Sequence, residues 1–132
     1  MARIVTLESI ENPYRCLISN GVHTWYADEP EYNGGLDSAP SPGELLLAAV
    51  GSCATITLRM YAKRKEWPVE KIEIELKLEE IKTETGITVN RITEKLHVHG
   101  NLDEDQINRL KTLIPKCPIA RVVTGPVEIM IG

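Results

Sequence analysis

The stretch Ser41–Trp67, "SPGELLLAAVGSCATITLRMYAKRKEW", constrains this chain more than any other. It opens with an S-x-x-E capping box from Ser41 to Glu44, and Pro42 suits a first helical position. Lys63, Arg64 and Lys65 complement the negative end of a helix dipole. Every residue from Leu45 to Val50 is apolar, and a helix apolar on all sides must be buried on all sides. A helix of about 25 residues runs roughly 37 Å. A chain of 132 residues can hardly surround such a rod, so the sequence predicts a homodimer that shares the helix in a common core.

Gly51, Ser52 and Cys53 interrupt the apolar run. Glycine weakens a helix interior by roughly 1 kcal/mol relative to alanine, so its presence needs a reason. Either another element packs closely there, or the Cys53 sulfur needs room.

Length suggests a single domain over residues 1–132. The hydrophobic and charged fractions, 42% and 26%, are those of a globular chain, and with no Phe the core must be aliphatic. A net charge of −4 with interspersed signs argues against a nucleic-acid partner, which would need a basic stripe. No signal-type h-region follows Met1, and no unbroken apolar run approaches the ~20 residues of a membrane span. The expectation is a cytoplasmic protein with no membrane partner. Cys16, Cys53 and Cys117 are an odd number in a reducing compartment, which argues against a disulfide framework.

Along the chain, residues 2–8 read as a strand. Residues 14–19 and 22–27 flank Asn20-Gly21, a type I′ hairpin signal. Asp28 to Gly43 is a loop rich in Gly, Pro, Asp and Ser, and long enough to be functional or to reach across an assembly. Lys71–Lys82 alternates, with Ile72, Ile74, Leu76 and Leu78 on one face. A second strand runs through Ile87, Val89, Ile92, Leu96 and Val98, and its change of parity predicts a bulge near Asn90-Arg91. Asp103 to Ile114 reads as a second helix and Pro126–Ile131 as a last strand. The order of three strands, helix, two strands, helix and strand predicts an α+β fold with a mainly antiparallel sheet.

Two cysteines attract chemistry. Cys53 lies in about the fourth turn of the first helix among small residues, where it is either a small hydrophobe or a nucleophile. Cys117 lies between Pro115 and Pro118, with Lys116 beside it and Arg121 nearby, and cations favour thiolate. Cys16 reads as structural, and Trp25 and Trp67 as packing residues. His97 and His99 share a strand face but lack a third ligand in sequence reach, so no metal site is expected. Glu44 has its capping role and a possible second one beside a thiol. Nine residues separate it from Cys53, about 900° of helix, so the two point to opposite sides. A thiol served by Glu44 would belong to a second subunit.

The segments "GGLDSAPSPGELLLAAVGSCATITLRMYAKRKEW" and "GNLDEDQINRLKTLIPKCPIARVV", with the "KIEIEL" strand between them, closely resemble the OsmC/Ohr family. The specific parts are a [S/N]-P-x-[E/Q]-L-L-x-A-x-x-x-x-C helix and a late C-P segment, with Cys117 placed 64 residues after Cys53. The resemblance implies an OsmC-like α+β fold, a long buried central helix and an intertwined homodimer. It implies a peroxidase without cofactor that reduces organic hydroperoxides. Cys53 would become a sulfenic acid, Cys117 would condense with it, and an external dithiol would reduce the disulfide. An early Arg and a helix Glu serve the thiolate in that branch. Here the Glu position falls on Gly43, with Glu44 one step later, and the Arg position falls near Asn12, with Arg15 three residues on. Two other readings stay open: a dimer that binds a small apolar ligand, and a redox sensor using the same cysteine pair.

Overall fold

The computed structural model describes residues 2–10 and 12–132. It contains two compact units, Met1–Leu46 and Leu47–Gly132. The first carries a three-stranded antiparallel sheet, β1 (Thr6–Ser9), β2 (Cys16–Ser19) and β3 (Thr24–Ala27), in that spatial order. The β2–β3 hairpin forms where Asn20-Gly21 predicts it, but the turn is centred one residue later. Ser19 pairs with Thr24, and the Asn20 amide donates to the His23 carbonyl at 3.2 Å. Gly21 and Val22 are therefore the central pair, with Gly21 alone at positive φ, +93°. A type I′ turn would require positive φ at β-branched Val22 as well; glycine at the first central position is the type II′ choice. The Asn20 side-chain oxygen accepts from the Val22 and His23 amides at 2.9 and 2.7 Å and holds the turn there.

The long loop after β3 is ordered by one buried carboxylate. Asp28 accepts from the Glu29 amide (2.8 Å), the Ser38 amide (3.0 Å) and the Ser38 hydroxyl (2.6 Å). The Ser38 hydroxyl and amide hold the Asp28 carboxyl below its usual range.

The predicted first helix is present as α1 (Pro42–Lys65). In the second unit, β4 (Val69–Lys82) and β5 (Thr88–Gly100) form a long antiparallel hairpin. No bulge lies at Asn90-Arg91; the register runs unbroken there, and the irregularity sits between Val69 and Lys71. The apolar residues change face together on both strands, from Leu78 to Ile81 and from Ile92 to Val89, so the ladder needs no extra residue. α2 (Glu104–Leu113) starts at Asp103, whose side chain accepts from the Gln106 amide while the Gln106 side chain accepts from the Asp103 amide.

The C-terminal part departs from the expected order of elements. Residues after Cys117 form a short helix, α3 (Pro118–Thr124), because Pro118 occupies a first helical position after an extended Cys117. Pro126–Ile131, read as a strand, is not one here: a strand exists only where a neighbour completes its ladder, and none within the described chain does so.

Ala54, Leu58, Leu110, Ile114, Cys117 and Ala120 form the core of the second unit. Ile72, Ile74, Leu96 and Val98 pack against it from the hairpin, with Trp67 and Tyr61 at its margin. By length and composition alone α1 could also cross a membrane, contrary to the sequence expectation, yet the buried helix of a soluble protein passes the same test. Gly51 has a packing explanation: a Cβ there would meet Leu76 Cδ1 at 2.6 Å. The missing side chain admits β4 rather than a substrate.

Candidate active site

Cys53 and Cys117 meet in this core. Cys53 is half-buried on α1, and Cys117 is wholly buried at the N-cap of α3. The two prolines shape the approach: Pro115 lies in a short 3-10 turn, Ile114–Lys116, and Pro118 begins α3. The chain folds back so that the Ile119 amide donates to Cys53 Sγ at 3.5 Å. Both cysteines are free thiols.

The electrostatics of the pair are unequal. Burial pushes the Cys117 thiol up, the Ala120 amide draws it back, and the Cys53 thiol and the charge of Glu94 push it up again. Cys117 is therefore a buried thiol rather than a resting thiolate. The Lys116 and Arg121 neighbourhood, expected to favour thiolate, does not outweigh burial.

Glu94 was not singled out by the sequence reading. It lies on β5 directly opposite Leu76, so both side chains project from the same face of the hairpin. That face otherwise carries Ile72, Ile74 and Leu76 on β4 and Ile92, Leu96 and Val98 on β5. Glu94 Oε1 is buried and has no hydrogen-bond partner among the described residues, and desolvation raises its carboxyl above the usual range. The signal in the sequence was a single charge on the apolar phase of an alternating strand.

The other predicted site residues belong to the first unit. Glu44 completes the capping box: its Oε1 accepts from the Ser41 amide at 3.0 Å, and Ser41 Oγ accepts from the Glu44 amide at 3.3 Å. These bonds lower the Glu44 carboxyl below its usual range. Arg15 stacks its guanidinium 3.9 Å from the Tyr26 ring centre, and its Nε is buried without a hydrogen-bond partner among the described residues. Cys16 points its thiol at the Tyr14 carbonyl, 3.8 Å away, within β2. His99 lies 2.9 Å from Glu73 Oε1 across the hairpin and edge-to-face with His97. Among the described residues no group of three His, Cys, Asp or Glu side chains could hold a metal.

Solved structures share this fold. An OsmC-like protein from Mycoplasma pneumoniae superposes with a TM-score of 0.77 at 17% identity, over 95% of this chain and 89% of that one. OhrB of Bacillus subtilis, an organic hydroperoxide resistance protein, gives 0.66 at 20% identity, over 95% and 92%. The organic hydroperoxide resistance protein OsmC of Legionella pneumophila gives 0.70 at 17% identity, over 95% and 90%. No curated protein sequence matches significantly. These likenesses share the α+β fold with antiparallel sheets and one long helix. Residues 35–132, which carry both the cysteine helix and the late C-P segment, match the sequence profile of OsmC-like proteins, and this chain belongs to the OsmC family.

Proposed function

We propose that the protein is a thiol-dependent peroxidase acting on organic hydroperoxides. The observation that carries this reading is the meeting of Cys53 and Cys117 in one core. In the proposed cycle Cys53 thiolate attacks the O–O bond, takes one oxygen as sulfenic acid and releases the alcohol once a proton is supplied. Cys117 then displaces that oxygen as water and forms a disulfide, which an external dithiol reduces. The likeness to organic hydroperoxide resistance proteins supports the substrate class. Apolar Ile74, Leu96 and Ile114 around the thiols suit an organic substrate better than hydrogen peroxide.

A homodimer is part of the proposal. α1 buries Val50, Ala54, Leu58 and Ala62, but its Leu46, Ile56 and Met60 are 41%, 54% and 63% exposed. Val127, Ile129, Met130 and Ile131 are exposed as well. A second copy would cover these apolar surfaces, and Arg15 and Glu44 are proposed to serve a Cys53 thiolate in that assembly.

Reduced protein mixed with cumene hydroperoxide, beside hydrogen peroxide, tests the chemistry. Intact mass should show rapid loss of about 2 Da as two thiols become a disulfide. The loss should disappear in Cys53→Ser, and Cys117→Ser should stop at a gain of about 16 Da. Thiol loss no faster than that of a free model thiol defeats the reading. Ile56→Lys should shift sedimentation toward monomer if the exposed face of α1 is the interface.

A further inference from the structure

We infer that Glu94 is the proton-transfer residue for the Cys117 thiol. This inference deepens the peroxidase reading and names a group in that site which neither family membership nor the cysteine motifs supply.

Three observations converge on it. The first is position: Glu94 stands opposite Leu76, and a Leu76 methyl occupies the space of the missing Gly51 side chain, two residues before Cys53. The rungs next to it, Ile74–Leu96 and Ile72–Val98, pack on the cluster that contains Cys117. The second is burial without a partner: Oε1 is out of water and accepts no hydrogen bond among the described residues. A buried carboxyl oxygen left unpaired costs about 1–3 kcal/mol, and an apolar residue in its place would avoid that cost. The third is electrostatic: the charge of Glu94 opposes ionisation of Cys117. Cys53 and Tyr61 from α1 and Cys117 at the head of α3 are the titratable groups those elements bring to this cluster. From the paired strand the facing residue is apolar Leu76.

The chemistry needs such a group. A buried thiol is a poor nucleophile until it loses its proton, and water is excluded from Cys117. Two anions in one desolvated space are unfavourable, whereas a carboxylate and a thiol can share one negative charge. The Cys117 proton passes to the Glu94 carboxylate. The Cys117 sulfur then attacks Cys53 Sγ, the S–O bond of the sulfenic acid breaks, and the departing hydroxide takes the proton back from Glu94. The products are the Cys53–Cys117 disulfide, one water and the original carboxylate, so protons and electrons balance.

The test separates this step from peroxide chemistry. Cys53 is loaded as a mixed disulfide with thionitrobenzoate, and release of coloured thionitrobenzoate reports attack by Cys117 without any peroxide. Wild-type protein should release it, and Cys117→Ser should not. Glu94→Gln should slow release roughly 100-fold, the low end of general acid–base effects, and move its pH profile upward. Glu94→Asp should recover part of the rate. Glu94→Leu, which suits the apolar face, should fold at least as stably by thermal melting yet remain slow. Release from Glu94→Gln at the wild-type rate with the wild-type pH profile overturns the assignment, as does a wild-type protein that releases nothing. A Glu94 effect on release in a protein inert to cumene hydroperoxide would uphold the proton transfer and reject the peroxidase reading alone.

Discussion

The two units of the chain are held together by different physics. In Met1–Leu46 the buried side chains are Ile18, Ala27 and the carboxylate Asp28, and the long loop is organised by hydrogen bonds to that carboxylate. In Leu47–Gly132 six buried residues form one contiguous cluster, ringed by apolar side chains from α1, β4, β5 and α2. The difference shows where reactive thiols can be kept. A directional polar anchor sets the path of a loop; a close-packed apolar cluster excludes water and fixes two sulfurs against each other. Cys16, in the first unit, makes a weak contact to a backbone carbonyl, whereas Cys53 and Cys117 share a core.

Breaking the apolar cluster should have the largest effect. Leu58 is wholly buried in the cluster that holds Cys117, so Leu58→Ala should lower unfolding free energy by about 2–5 kcal/mol in urea titration. The same variant should raise alkylation of Cys117 by opening its surroundings. A loss below about 1 kcal/mol would show that the cluster collapses around the gap.

A subtler change sharpens the contact between α1 and β4. Gly51→Ala gains helix propensity but drives a methyl into Leu76. Overpacking costs about 1–3 kcal/mol, so the net effect should be a destabilisation of about 1 kcal/mol. Leu76→Val in the same chain should recover part of it. A stabilised Gly51→Ala protein would mean that Leu76 moves aside freely.

The smallest effect should be local, and it lies in the first unit. Asp28→Ala should speed hydrogen exchange at the Glu29 and Ser38 amides, while the amides of Leu58 and Leu110 stay protected. The effect depends on pH in a definite sense. The Asp28 carboxyl is held below its ordinary value of 3.8, so its contribution is complete above that value and is lost as pH falls through the lower folded value. Exchange at Ser38 in the unaltered protein should therefore rise only in strong acid. Equal protection of these amides with and without Asp28 would show that the loop is ordered by something else.

Much of this was legible in the residues. The Ser41–Glu44 box marks the start of α1, and its reciprocal hydrogen bonds are present. Strict alternation from Ile72 to Leu78 is enough to read β4, because a strand with one wet face must repeat every second residue. Helix α2 announces itself through Asp103 and the spacing of Ile107, Leu110 and Ile114. These are local signals, and each is set within about two turns of chain.

The remainder depends on partners distant in sequence. Whether Pro126–Ile131 is a strand depends on a neighbour, not on its own pattern. A change of parity in β5 looks like a bulge until β4 is seen to change face at the same rung. Gly51 could equally have marked a substrate channel, and only the position of Leu76 shows that it marks a packing contact. The sequence by itself determined the elements, their order and the two cysteine motifs that make the chain recognisable. Tertiary structure alone decided that Cys53 and Cys117, 64 residues apart, share one core, and that Glu94 stands on the hairpin whose apolar residues pack against it. Burial and proximity are properties of the packed chain, and they are what change the reactivity of a thiol or a carboxyl.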